Sequence, residues 1–274
     1  MDLHTVVEVR HPGSAEEIRD WKKGYAWLAG GTWLFSEPQL DTHTLVDLES
    51  LKWPALQVSD DGLEIAGTCK IVELDQLVEK APAKWIAAPL FRECCHSFLA
   101  SFKIWNEATV GGNICMSLPA GPMISLAASL EGVCTLWARD GTKREVALVE
   151  FVTGNHTNVL AAGELLRSIR LPASALEKTY AFRRFTLTQL GRSEALIIAT
   201  KDREKGNCLF TITAATVRPV QFSFNDVPSV DDLKRAIDES VPFSLYLDDV
   251  HGSPAHRKQL TYYFAEQIRR ELSA

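Results

Sequence analysis

Two double glycines carry the residue types best suited to chemistry in this sequence. Ala29-Gly30-Gly31-Thr32 follows the apolar run Tyr25 to Ala29, and Thr109-Val110-Gly111-Gly112-Asn113 follows a helix-like apolar stretch. Glycine reaches φ > 0 without steric cost, and its N–H can approach a diphosphate with no Cβ in the way, while Thr and Asn beside it add hydroxyl and amide donors. Either pair by itself reads as a tight turn. Two of them, each with polar donors alongside, can clamp one pyrophosphate from both sides. Neither G-x-G-x-x-G nor G-x-x-x-x-G-K-[ST] occurs, so neither a Rossmann fingerprint nor a P-loop is supported.

Other reactive residue types are scattered. The six cysteines, Cys69, Cys94, Cys95, Cys115, Cys134 and Cys208, form no C-x-x-C pair and have no His at zinc spacing. Any iron–sulfur cluster is therefore expected on another chain. Cys94-Cys95-His96 falls on an expected helix, where adjacent side chains point to different faces and a buried free thiol is the ordinary outcome. His43, His156 and His251 lack a spaced carboxylate or Ser partner for a hydrolytic triad. Asp248-Asp249 has too few ligands for a cation and reads as a solvated turn before the last helix.

The elements that must position the glycines follow from periodicity. A strand at Thr5 to Val9, a helix opened by the Ser14-x-x-Glu17 capping box, and strands at Tyr25 to Ala29 and Thr44 to Leu48 predict a small βαββ unit. A hairpin turning at Asp61-Gly62 joins extended runs between Leu56 and Ala66, and helices are expected at about Val72 to Glu79 and Ile86 to Phe102. Beyond Gly121-Pro122, MISLAASLEG predicts a helix and VCTLWARDGTKREVAL a hairpin at Asp140-Gly141. Extended runs at Thr179 to Phe185, Ala195 to Thr200 and Cys208 to Val217 come next. Two helices close the chain, one capped by Ser229 and one begun by Ser253-Pro254.

Composition bounds what this frame can serve. The 274 residues exceed one mid-sized core, so two or three domains are expected, and 46% hydrophobic with 23% charged residues is ordinary for a globular chain. A net charge of -6 argues against a nucleic-acid partner, which needs clustered Lys and Arg. MDLHTVVEVRHPGS lacks the apolar core of a secretory signal, and no stretch approaches the ~20 apolar residues of a membrane span, so a cytoplasmic location is expected.

Against this background the chain resembles the FAD-binding subunits of molybdenum hydroxylases of the xanthine dehydrogenase and carbon monoxide dehydrogenase type. AGGTWL is similar to that family's first pyrophosphate loop, AGGTDL, and ATVGGNI at 108–114 to its second. DDGLEIAGTCKIVEL, GELLRSIRLP at 163–172 and DDVHGSPAHRKQL at 248–260 resemble further family segments in the family's order, over nearly the whole chain.

The resemblance implies an α+β fold: a two-part FAD-binding domain of the vanillyl-alcohol oxidase/PCMH type, in subdomains 1–55 and 56–172, and a small α/β C-terminal domain at 173–274. It implies that FAD is held noncovalently by Ala29, Gly30, Gly31, Thr32, Trp33 and Leu34 and by Thr109, Gly111, Gly112 and Asn113. Leu166 would line the adenine or isoalloxazine neighbourhood, and Arg183, or Arg184 beside it, would stand where many relatives place a Lys near the flavin. The implied partners are an iron–sulfur subunit and a large molybdopterin subunit, two copies each of three chains, with NAD or another electron acceptor. Three positions depart from the pattern: Pro122 replaces an Asp, Trp33 stands where a polar residue is common, and Trp105 takes the place of an Arg. A self-sufficient FAD reductase or oxidase of the same fold, and a scaffold subunit that has lost FAD, are the alternatives.

Overall fold

Three β-strands near the start of the chain, β1 (Glu8–Arg10), β2 (Tyr25–Leu28) and β3 (Thr44–Asp47), form a parallel sheet in the order β1-β3-β2. The computed structural model describes residues 3–14, 16, 17 and 19–273. The helix expected from Ser14 spans Ala15 and Ile18, which lie outside the described residues. Ser14 itself sits in a bend and Glu16 and Glu17 in a turn, where the Glu17 carboxylate accepts from the Gly13 N–H at 3.0 Å. The Trp21 ring lies 4.2 Å from that of Trp27, and Trp27 Nε1 donates to the Glu164 carbonyl at 3.2 Å, tying this sheet to the next.

The next unit alternates strands and short helices. It comprises β4 (Leu56–Ser59), β5 (Gly62–Ala66), α1 (Ile71–Leu77), α2 (Pro89–Cys95), α3 (Phe102–Trp105), α4 (Val110–Met116), α5 (Pro122–Ser129), β6 (Val133–Trp137), β7 (Lys143–Ala147), α6 (Leu148–Phe151), β8 (Val152–Gly154), β9 (Thr157–Asn158), β10 (Leu165–Pro172) and α7 (Ala173–Leu176). Five of these strands pair antiparallel in the order β4-β5-β10-β6-β7. The hairpin turns on Asp60-Asp61, with Gly62 at φ +133 as the first residue of β5.

One helix expected over Ile86 to Phe102 is much shorter. Pro89 opens α2 at its first turn, and the helix ends at Cys95; Ser101, in extended conformation, then starts the separate α3. The apolar residues that made the stretch look continuous divide between two surroundings. Leu90, Phe91, Cys94 and Cys95 are buried where α2 packs on α1 and α5, whereas Leu99 and Phe102 are exposed. Both cysteines are enclosed, so the adjacent pair does not split between core and surface.

From Thr179 a second core begins. Strands β11 (Thr179–Thr186), β12 (Ser193–Lys201), β13 (Cys208–Thr213) and β14 (Val220–Phe224) form an antiparallel meander. The run expected to reach Val217 stops at Thr213, because Ala214 turns to φ 62. One face of the sheet, through Ala195, Ile197, Phe210 and Ile212, packs on α8 (Val230–Ser240) and α9 (Pro254–Ser273); Tyr180, Phe182, Leu196 and Ile198 join the core of the preceding unit. Ser229 caps α8 by accepting from the Asp232 N–H at 3.1 Å.

Asp249 departs from the solvated turn expected of it. Arg257 of α9 is fully buried and donates to the carbonyls of Ala214 at 2.8 Å and Gly252 at 3.2 Å, and to the Asp249 carboxylate at 2.6 Å. Burial pushes the Asp249 carboxyl up, but the His251 backbone N–H and the Arg257 charge outweigh it and hold its pKa below the ordinary value. Asp249 is the counter-ion of a buried arginine.

Candidate cofactor cleft

The glycine segments meet across a cleft of about 670 Å³, within the range of small-molecule and cofactor sites. Residues 29–34, with Trp27 and Gln39, form one wall. Ala108, Thr109, Gly112, Asn113, Cys115 and Met116 form another, extended by Gly121 and Pro122 at the start of α5. Residues 97–100 and Ile104 continue the lining, and it is reached by Arg192, in the connection between β11 and β12, and by Ser193, the first residue of β12.

After β2 the chain leaves the sheet as an irregular turn. Gly31 takes φ +69, which an L side chain rarely adopts, and its carbonyl accepts from the Phe35 N–H at 2.8 Å. A Cβ on Gly30 would lie 1.7 Å from the Glu107 carbonyl oxygen, so the backbones of the two segments touch there. Among the described residues, no acceptor takes the N–H groups of Gly30, Gly31, Thr32, Trp33 or Leu34. Unclaimed amides in a row on a cleft wall are donors that an anion could use.

The second glycine pair is not a loop. Thr109 is the extended N-cap of α4, its Oγ1 accepting from the Gly112 N–H at 3.0 Å, and Gly111 and Gly112 lie in the first helical turn. The cap and the tertiary contacts outweigh the low helix propensity of glycine. The amides that follow Thr109 are taken: Val110 donates to Cys69 O at 2.8 Å, Gly111 to Gly67 O at 3.0 Å and Asn113 to Thr109 O at 3.0 Å. A Cβ on Gly111 would stand 2.5 Å from Gly67 O, so this glycine lets α4 lie against the end of β5. Asn113 Oδ1 accepts from the Met123 N–H at 3.1 Å, which directs its amide nitrogen elsewhere.

The structure thus brings Ala29, Gly30, Gly31, Thr32, Trp33, Leu34, Thr109, Gly112 and Asn113 onto one cleft, with Gly111 behind its wall. It does not bring Leu166 or Arg183 there. Leu166, on β10, is in the core opposite Leu136. Arg183 faces α9, donating to Gln267 Oε1 at 2.9 Å and Glu271 Oε2 at 2.6 Å. Arg184, one residue on, points to the opposite face and braces the Gly191 carbonyl at 2.6 Å and Ser193 Oγ at 2.8 Å. Pro122 and Trp33 line the cleft, whereas Trp105 lies off it with its ring 5.1 Å from that of His96.

Sequence reasoning missed Arg192 and Ser193, whose only available signal was their place between expected strands, and residues 97–100, which fell inside the helix expected over Ile86 to Phe102. Cys115 was noted only as one of six thiols. It lies on the wall, where burial pushes its thiol up to about 12, so it is protonated at neutral pH and a poor nucleophile. No group of three or more His, Cys, Asp or Glu that could hold a metal occurs among the described residues, and no helix there is long and apolar enough to cross a membrane.

Residues 6–174 match the family described as the FAD binding domain in molybdopterin dehydrogenase. Xanthine dehydrogenases 1 and 2 of Arabidopsis thaliana are each 27% identical over 128 residues, covering 43% of this chain and only 9% of their own length. In fold, the chain is similar to quinoline 2-oxidoreductase from Pseudomonas putida 86, with a TM-score of 0.80 at 19% identity over 99% of this chain and 98% of that one. It is also similar to carbon monoxide dehydrogenase from Hydrogenophaga pseudoflava, lacking the Mo-pyranopterin moiety of its molybdenum cofactor, with a TM-score of 0.78 at 17% identity over 96% of each chain. Reconstituted CO dehydrogenase from Oligotropha carboxidovorans gives 0.78 at 20% identity over 98% of this chain and 99% of that one. At these identities the likeness is one of fold, and it continues beyond residue 174 into the second core. With well over half of its residues in the family match, the chain belongs to the FAD-binding domain family of the molybdopterin dehydrogenases.

Proposed function

We propose that this chain is the FAD-carrying electron-transfer subunit of a molybdenum hydroxylase, passing electrons between iron–sulfur clusters of a partner subunit and an external acceptor such as NAD. The observation that carries the reading is the row of unclaimed amides from Gly30 to Leu34 on the wall of a cofactor-sized cleft. These groups suit FAD: the amides can donate to diphosphate oxygens, and the Thr109 hydroxyl and the Asn113 amide nitrogen add donors from the facing wall. The largely apolar remainder of the cleft excludes water from a flat ring system. Bound flavin supplies the redox chemistry, and the chain's part is to bind, orient and tune it.

The fold reading is a two-part FAD-binding domain of the PCMH type, spanning 1–55 and 56–172, with a C-terminal domain at 173–274. It is supported by three principal sheets that fall one within each span. An iron–sulfur chain and a large molybdopterin chain, in an assembly of two copies of each of three chains, are the partners in this reading, and the match to the FAD binding domain in molybdopterin dehydrogenase supports the molybdopterin one. Acid precipitation of the purified protein is expected to leave yellow FAD in the supernatant; flavin in the pellet, or none in either fraction, would sink the cofactor assignment. Co-purification is expected to bring down an iron–sulfur chain and a large molybdenum chain. Oxidation of an N-heterocycle or aldehyde by the chain alone, with flavin its only cofactor, would replace the relay by a self-sufficient oxidase.

A further inference from the structure

Arg192 is the one charged side chain lining the cleft among the described residues. The nearby arginines are engaged, Arg183 with Gln267 and Glu271 and Arg184 with Gly191 and Ser193, whereas Arg192 has no ion pair and no hydrogen bond among the described residues. A half-buried guanidinium on a mainly apolar wall, with no acceptor from the protein, is placed to meet an anion from a ligand.

Its place is fixed on both sides. Arg184 holds the backbone of Gly191 and the hydroxyl of Ser193. Glu194 is fully buried: its carbonyl accepts from Arg257, and its carboxylate lies 2.6 Å from His256 Nδ1. The backbone that carries Arg192 is therefore tied to both β11 and α9. Side chain 192 is free while its backbone is not.

We propose that Arg192 faces the flavin ring of the bound dinucleotide and stabilises the negative charge the ring gains on reduction. This rests on the reading of the cleft as an FAD site. The diphosphate already has a counterpart in the amides of Gly30 to Leu34, which come from the connection between β2 and β3. Arg192 comes from the connection between β11 and β12, strands of a different sheet. Of the rest of the dinucleotide, the adenine stays neutral and the flavin ring takes on negative charge when it accepts electrons. The planar fork of an arginine suits the polar edge of such a ring, and a fixed cation there raises its affinity for electrons.

The test uses the FAD-loaded full chain with Arg192→Gln and Arg192→Lys, measuring flavin midpoint potential by spectroscopic titration and FAD affinity by fluorescence. Arg192→Gln should shift the equilibrium roughly tenfold towards oxidised flavin, about 30 mV for a two-electron couple, with little change in affinity. Arg192→Lys should restore most of the shift. An unchanged potential in Arg192→Gln overturns the proposal, and so does a loss of FAD affinity matched by an equal loss for ADP, which would assign Arg192 to the diphosphate. A wild-type chain that takes up no FAD overturns the cofactor site itself, an outcome separate from either.

Discussion

The two Gly-Gly segments look alike in the sequence and are built differently. In the first, the chain is irregular, Gly31 sits at φ +69 and the amides of residues 30–34 have no acceptor among the described residues; in the second, the glycines form the first turn of α4 and the amides of residues 110–113 have partners. Each pair nevertheless splits the same way. A Cβ on Gly30 or Gly111 would meet backbone that passes too close for it, whereas one on Gly31 or Gly112 would meet side chains; of the four, Gly111 alone stands off the cleft lining. A repeated dipeptide can thus meet two demands at once, close packing behind a wall and room in front of it.

The sharpest break in that comparison comes from adding one methyl group where backbone stands against the glycine. Gly30→Ala places a Cβ 1.7 Å from Glu107 O, and Gly111→Ala one 2.5 Å from Gly67 O, where backbone and not a flexible side chain would have to move. Each should cost about 3 kcal/mol or more in denaturant unfolding. A loss below 1 kcal/mol would show that the close approach is not required.

Next in size is the support behind the first segment. Trp27 donates to the Glu164 carbonyl, and the Glu164 carboxylate is held by Arg144 through contacts of 2.7 Å and by the Ala161 N–H at 3.0 Å. The Arg144 contact, helped by the Ala161 N–H, holds the Glu164 pKa below the ordinary value. Because the folded-state pKa is depressed, the stabilisation is present above the usual glutamate pKa and is lost as pH falls through the depressed value. Glu164→Gln should cost about 2 kcal/mol at neutral pH and flatten the acid limb of the stability profile. An unchanged acid limb would remove Glu164 from this role.

Gly112→Ala sharpens the comparison from the cleft side. Its Cβ meets only Thr109 Oγ1, at 2.8 Å, and alanine is the better helix former, so stability should stay within about 1 kcal/mol of wild type. A methyl group on the wall should still weaken FAD binding by about tenfold, read by fluorescence titration. Unaltered affinity would mean that this glycine does not face the cofactor. Smallest is Thr109→Ala, which removes the cap of α4 and should cost about 1 kcal/mol in thermal unfolding, with Thr109→Ser close to wild type.

Local signals located most elements, because their causes are local: the hairpin expected at Asp61-Gly62 and found one residue earlier, the Ser229 cap and the Pro254 start all act within a few residues. The errors arose where the cause is distant in sequence. Leu99 and Phe102 extend an apolar pattern past the real end of α2, and nothing in their spacing shows that they are exposed beside a cleft. Thr109 is a good cap, but two glycines disguise the helix it caps. Of the site, the glycine walls were legible from their residue types. Arg192 was not, because its role depends on the pairing of β11 with β12 and on which neighbouring arginines have already found acceptors. Asp249 looked solvated for the same reason, its partner being a buried arginine on a helix still to come.

The strand order of the five-stranded sheet also dictates when the cleft can form. β10, at 165–172, lies between β5, at 62–66, and β6, at 133–137, and the Gly67 N–H donates to the Arg167 carbonyl of β10 at 2.9 Å. Gly67 is in turn the surface on which Gly111 seats α4. During synthesis the wall that bears Thr109 and Asn113 therefore lacks its backing until β10 has emerged, and α1, α2, α4 and α5 must wait with their apolar faces incompletely covered. Such non-local pairing folds slowly and exposes sticky intermediates. A ribosome-stalled chain ending before residue 165 should fail to retain FAD and be cut readily by protease, and one long enough to expose β11 and β12 should acquire both flavin retention and protection together.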